Sequence, residues 1–242
     1  MWDLVNDEIS LGQWLNGRIY ERRSDISPDG KYWIYFAMNG KWDSEVKGSW
    51  TAIARVPWLK AIVLYPKGDC WNGGGLFTGK RSYWLNDGHG HEQAITSTEV
   101  DRVPDFKGLG YYGGECPSVY YNRLQRDGWT LVRREQRNKL DASAVFEKRL
   151  PKNWTFQKIC HEQIGAPIGK GCYWDEHALI SDAGDQLEFP AWEWAEWLGD
   201  HIAFAKDGCL FRTTIESKNE ISAESLIHDF NYYTFEPLEA PY

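Results

Sequence analysis

The run DGHGHE, Asp87 to Glu92, gathers the densest set of groups in this chain that could do chemistry. In an extended segment residues two apart point the same way. His89 and His91 would then offer two imidazoles on one side, and Glu92 or Asp87 would complete a three-ligand site of catalytic type for a divalent metal. The flanking Gly88 and Gly90 favour a flexible loop instead. Other catalytic patterns fail on a missing residue. HEQAI (91–95) and HEQIG (161–165) begin like a zinc-protease helix, but Ile95 and Gly165 stand where the second histidine belongs. No Gly-x-Ser-x-Gly elbow occurs. Cys160 and His161 are neighbours in an expected strand, which sends them to opposite faces and spoils a nucleophile and base pair. GGGLF (73–77) lacks the Lys and Ser/Thr of a phosphate loop and reads as a turn into a strand.

The elements that would position such groups are short strands. Turn dipeptides recur at Asn16-Gly17, Asp29-Gly30, Asn39-Gly40, Asn72-Gly73, Asp87-Gly88, Asp127-Gly128 and Asp207-Gly208. Between many of them lie aromatic and β-branched runs such as KYWIYF (31–36), TAIARV (51–56), KAIVLY (60–65) and RSYWL (81–85), the pattern of a sandwich, barrel or propeller. Fourteen Trp, thirteen Tyr and ten Phe suit strands and large buried surfaces. The best helical segments are peripheral: 2–15, and 219–230 behind a Ser217-x-x-Glu220 capping pattern. The stretch 88–117 reads as a long loop.

Asp207-Gly208 suits a two-residue type I′ turn. That turn predicts a register in which Lys206 faces Cys209, Ala205 faces Leu210, Phe204 faces Phe211 and Ala203 faces Arg212. Related hairpins recur. VYYNRLQRDGWTLV (119–132) parallels VFEKRLPKNWTFQK (145–158), and in the first the Asp127-Gly128 turn predicts Leu124 opposite Leu131 and Arg126 opposite Trp129. A looser pair is 173–189 with 193–211. A small sheet with apolar residues on both faces must be covered on both sides, as stacked blades are.

DISPDGKYWIYF (25–36) resembles the Ser-Pro-Asp-Gly hairpin of β-propeller repeat proteins of the Tol and prolyl-oligopeptidase types. There one strand ends at Ser27, Gly30 takes the left-handed corner and the next strand starts at Lys31. DHIAFAKDGCLFR (200–212) is similar to a blade of uncharacterised bacterial propeller-like proteins. The resemblance implies an all-β, single-domain propeller over 1–242. At about 45 residues per blade it has five blades, or six if they are lean. Five-bladed propellers include glycoside-processing enzymes that gather acids at one mouth of the axis. By that resemblance Asp69, Asp87, Glu115, Asp175, Glu176 and Asp185, near expected strand ends, are the candidate catalytic carboxylates. A chain with 35 acids places several near any opening by chance.

The formal charge of −8 disfavours nucleic acid and anionic membrane as partners, because phosphate contacts need clustered Lys and Arg. The basic run Arg133, Arg134, Arg137 and Lys139 reads as a solvated loop. The N-terminus lacks the basic and apolar regions of a signal peptide, and AIVLY (61–65) is too short to span a bilayer. Five Cys without a Cys-x-x-Cys pair signal neither a disulfide framework nor a zinc ribbon, so a reducing cytoplasm is expected. The expected function is a module binding another protein or a small ligand, without a cofactor unless DGHGHE holds a metal. The alternative is a hydrolase of glycosidic or ester bonds.

Overall fold

A computed structural model of the protein describes residues 1–88, 91–104, 106, 110–113, 115–217 and 220–242. The class is all-β in its main lines: strands dominate, with one α-helix and one 3-10 turn among the described residues. The chain falls into two compact units, Met1–Arg123 with Phe235–Tyr242, and Leu124–Thr234.

The first unit opens with a hairpin of β1 (Trp2–Asp3) and β2 (Glu8–Ile9) where a helix over 2–15 was expected. Asp3 explains the difference. Its Oδ1 accepts from the backbone N–H of Val5 at 2.8 Å and of Asn6 at 3.3 Å, a local turn that competes with helical pairing. Next come β3 (Arg18–Ile26), β4 (Tyr32–Met38), β5 (Ser49–Arg55) and β6 (Ala61–Pro66), an antiparallel sheet in chain order. The Ser27-Pro28-Asp29-Gly30 corner joins β3 to β4. Ser27 Oγ donates to Asp29 Oδ1 at 2.7 Å and accepts from Tyr32 N–H at 2.9 Å, with Gly30 at φ +70. The strands stop one residue short of the expected limits on each side.

Alternation along β4 makes this sheet apolar on both faces. Tyr32 and Ile34 join Ile53, Val63 and Tyr65 on one side, while Tyr35 and Ala37 join Trp50, Ala52 and Ala54 on the other. Each large side chain among them contributes roughly 1.5–3 kcal/mol when fully buried. The first face is covered by Phe77, Tyr83, Leu85 and Val100. The first three lie in a small sheet of β7 (Gly75–Phe77), β8 (Ser82–Leu85) and β9 (Asp101–Arg102), in which β8 and β9 run parallel. Side chains of the large sheet lock β7 in place: Phe77 N–H donates to Asp25 Oδ2 at 2.7 Å and Gly74 N–H to Thr51 Oγ1 at 2.8 Å. Tyr65 and Tyr83 share a hydroxyl hydrogen bond of 2.7 Å across the core.

The helix α1 (Cys116–Arg126) stands where 119–132 was expected to form a hairpin. Cys116, Val119, Tyr120 and Leu124 are all buried at three- and four-residue spacing, which is helical periodicity. The Asp127-Gly128 dipeptide ends this helix. Gly128 sits at φ +89 and Trp129 N–H donates to Leu124 O at 2.9 Å, the left-handed cap that glycine favours. The predicted pairings of Leu124 with Leu131 and of Arg126 with Trp129 therefore do not form.

The second unit holds a five-stranded meander of β10 (Thr130–Asn138), β11 (Asp141–Leu150), β12 (Trp154–Gln163), β13 (Tyr173–Ser181) and β14 (Gln186–Glu188). A four-stranded meander follows, of β15 (Trp194–Trp197), β16 (Ile202–Lys206), β17 (Cys209–Thr213) and β18 (Ser225–Asp229). The arginines of the basic run lie on edge strand β10 rather than in a loop, and Lys139 sits in the turn just after it. These arginines are matched by acids, Arg133 by Glu135 at 2.9 Å, Arg134 by Glu162 at 3.4 Å and Arg137 by Asp141 at 2.9 Å. Residues 225–229 are strand, not helix, and Glu216 and Ser217 N–H close a turn onto Glu220 O. The Asp207-Gly208 hairpin has the predicted register at all four pairs. Its Phe204 and Phe211 rings stack at 5.4 Å and extend through Trp192, 4.1 Å from Phe204, to Phe189, 3.9 Å from Trp192.

Candidate functional site

The richest arrangement lies in the first unit, where β8 runs into Asn86, Asp87 and Gly88 beside the Asn72-Gly73-Gly74-Gly75 approach to β7. Three consecutive residues there have left-handed backbone: Asn72 at φ +55, Gly73 at +84 and Gly74 at +74. Glycine and asparagine are the residues that adopt this region most readily. Arg23, on β3, fixes the loop in place. Nearly fully buried, it donates through Nη1 to Cys70 O at 2.7 Å and Asn72 O at 2.6 Å, and through Nε to Cys116 Sγ at 3.3 Å, while Nη2 meets Glu115 at 3.4 Å. Its guanidinium carbon lies 4.9 Å from the Phe36 ring centroid and 5.2 Å from that of Tyr20. Asn86 closes the loop from the other side. Its N–H donates to Gly74 O at 2.9 Å, its O accepts from Gly73 N–H at 3.0 Å, and its Nδ2 donates to Gly73 O at 3.2 Å. Glycine is required at 74, since a Cβ would fall 1.9 Å from Arg23 O.

A cleft of about 580 Å³ opens over this loop, within the usual range of small-molecule sites. Asn72, Asn86, Asp87, Arg102, Trp84, Phe106 and Tyr111 are among its lining residues. Trp84 and Phe106 lie 5.8 Å apart, tilted, and Tyr111 is 87% exposed. Asn122 is committed to structure: it bonds Gly110 N–H and O at 3.1 Å each and Ser118 O at 2.7 Å. Asn72 is different. It is 93% buried (7% exposed), yet its side-chain amide makes no hydrogen bond to a described residue. The Oδ1 of Asn86 accepts none either.

Asp87 divides its carboxylate between two partners, Oδ1 toward His91 Nδ1 at 2.7 Å and Oδ2 toward Arg102 Nη2 at 2.9 Å. Burial raises the carboxyl, but the hydrogen bonds from His91 and Arg102 outweigh it and hold Asp87 below the usual range. Burial pushes His91 the other way, lowering its pKa against the opposing pull of Asp87. The ring is therefore neutral near pH 7 with its proton on Nδ1, because the ionised Asp87 can only accept. Its Nε2 is buried and has no hydrogen-bond partner among the described residues.

The expected site residues are distributed as follows. Asp69 pairs with Lys67 at 2.9 Å, accepts from Trp71 N–H at 2.8 Å and interacts electrostatically with His91, so Asp69, Asp87 and His91 share one neighbourhood. Glu115 serves Arg23. In the second unit Asp175 and Glu176 are adjacent on β13 and face opposite ways, Asp175 buried and Glu176 exposed 3.4 Å from His161 Nε2. Asp185 binds Ser181 at the far end of that strand, roughly 20 Å along it from Asp175 at ~3.3 Å per residue. These three do not gather at one point. Glu92 is exposed, and His89 lies outside the described residues. No cluster of three or more His, Cys, Asp or Glu among the described residues has metal-site geometry.

Cys160 and His161 do occupy opposite faces of β12, Cys160 buried and His161 stacked on Trp174 at 3.8 Å. GGGLF does lead into strand β7. Sequence reasoning passed over Asn72, Asn86, Arg102 and Arg23; the signal available was an Asn before three glycines. Comparison with known proteins brings no match, whether to family models, curated proteins or solved structures.

Proposed function

We propose that the chain is a binding module of β-propeller type that takes a small ligand in the Asn72–Asp87 cleft. One observation carries this reading: a left-handed loop pinned by Arg23 presents the Asn72 amide, which makes no hydrogen bond to a described residue, to the cleft beside aromatic walls. A ligand that pairs this amide exchanges its hydrogen bonds with water for its own. The propeller architecture is supported by the chain-order meanders β3–β6 and β15–β18, each four-stranded, and by the two apolar faces of the first. The five sheets equal the expected blade number, but β1–β2 has two strands and β7–β9 three, so three sheets reach blade size. Five free cysteines support the expected reducing, cytoplasmic setting.

Thermal unfolding in the presence of separate collections of sugars, nucleotides, amino acids and short peptides tests the site. A ligand at a hundred times its Kd stabilises by about 2.7 kcal/mol. The expected result is stabilisation by one collection that disappears in Asp87→Ala and Trp84→Leu; stabilisation by none, or stabilisation indifferent to both variants, would contradict the reading. The Asp87 carboxylate on the cleft floor favours a second reading, a hydrolase of glycosidic or ester bonds in which Asp87 acts as the base, oriented by His91 and Arg102. Turnover of nitrophenyl esters or glycosides that is abolished in Asp87→Asn would support it, and no turnover would dismiss it.

A further inference from the structure

We infer that the cleft's ligand is a neutral, hydroxyl-rich molecule, a saccharide. The inference rests on the cleft being a ligand site and adds the chemical class. The polar groups that remain unspent are of mixed character. Asn72 offers two donors and an acceptor, Asn86 Oδ1 offers an acceptor, and the Asp87 carboxylate keeps lone pairs beyond those given to His91 and Arg102. A ligand must answer donors and acceptors a few ångströms apart. Adjacent hydroxyl groups do this, since each both donates and accepts.

Charge narrows the class further. Arg102 is the one cation among the described lining residues, and Asp87 already neutralises it. A phosphate or carboxylate ligand would need a free cation and would meet Asp87 instead. His91, held neutral by burial, adds no positive charge behind it. An ammonium ligand would have to displace Arg102 from Asp87. The floor is thus electrically balanced and suits an uncharged guest. Trp84, Phe106 and Tyr111 supply flat apolar surface against which the C–H face of a sugar ring can lie. Gly88 keeps the floor open: a side chain there would fall 2.6 Å from the Asn72 amide nitrogen.

Asn72→Gly is the decisive variant, because glycine accepts φ +55 without strain and removes only the amide. Saturation-transfer NMR and calorimetry would be run with glucose, galactose, mannose, xylose, N-acetylglucosamine and their disaccharides, alongside ATP, GMP, glutamate and arginine. The expected result is binding by at least one neutral sugar, weakened roughly tenfold in Asn72→Gly and in Asp87→Ala, with folding checked by unchanged near-UV dichroism. Sugar binding that Asn72→Gly leaves unaltered would overturn the inference. So would binding of ATP, GMP or an amino acid in the cleft with none by sugars, an outcome that spares the ligand-site reading. Failure of every probe to bind in the cleft would remove both.

Discussion

Arg23→Met removes the group that holds the Asn72 loop while keeping a side chain of similar reach. The buried carbonyl of Asn72 and the part-buried one of Cys70 lose charge-assisted donors at 2.6 and 2.7 Å. Glu115 loses its contact with this guanidinium and Cys116 Sγ its donor. An unsatisfied buried acceptor costs about 1–3 kcal/mol, and the contact with the partly exposed Glu115 adds about 1 kcal/mol or less. Methionine recovers part of this by packing between Tyr20 and Phe36. A net loss of about 2–4 kcal/mol follows. Urea unfolding followed by Trp fluorescence, with 14 Trp in the chain, measures it, and two transitions would be fitted separately if the units unfold apart. Arg23→Lys should recover less than half, because one ammonium cannot reach carbonyls, thiol and carboxylate in a planar fork. A loss under about 1 kcal/mol in Arg23→Met would refute the assignment of Arg23 as the clamp.

Gly74→Ala places a Cβ 1.9 Å from Arg23 O at a left-handed φ of +74, so the variant should be recovered largely insoluble or with its first unit unfolded by proteolysis; a wild-type digestion pattern would contradict the close packing of β7 on β3. Phe204→Ala opens the ring stack at a fully buried position and should lower stability by about 3–5 kcal/mol in urea. Asn72→Val, β-branched at φ +55, should cost about 1–2 kcal/mol, whereas Asn72→Gly should stay within about 1 kcal/mol of wild type. For His91 the folded pKa is depressed, so the unfolded chain binds its proton first and stability is lost as pH falls below about 6.5. The slope approaches but does not exceed about 1.4 kcal/mol per pH unit for this one proton, and it ends below the folded pKa. Lys67 opposes protonation while Asp87 and Asp69 favour it. Asp87, also depressed, adds a separate loss only in the acid range below about pH 4. Urea midpoints at pH 8 to 5 should show a smaller decline in His91→Gln than in wild type; parallel curves would contradict the buried neutral state.

The same dipeptide shows what was legible and what was not. At 207–208 Asp-Gly lies between two short apolar-rich runs, and the hairpin register follows from the turn alone. At 127–128 it follows Val119, Tyr120 and Leu124, whose spacing is helical, and the left-handed glycine caps a helix instead. Glycine specifies the local φ, while the preceding periodicity decides which element uses it. The Ser-Pro-Asp-Gly corner was legible because its side-chain hydrogen bonds are local. The cleft was not, because its parts come from distant segments. Arg23 on β3, Thr51 on β5 and Asn86 after β8 converge on one loop through hydrogen bonds that no spacing rule encodes. Asp87 and His91 were visible as a cluster, but the pairing of Asp87 with Arg102 depends on the parallel pairing of β8 with β9, which places Tyr83 against Arg102.

The side-chain amide resonance of Asn72, assigned by its absence from Asn72→Gly, reads the floor of the cleft directly. Titration with the sugar that binds should shift this resonance and the Trp84 indole signal together, with one Kd for both. An Asn72 amide that stays in place while signals elsewhere move would contradict the claim that the pinned loop is a ligand-binding floor.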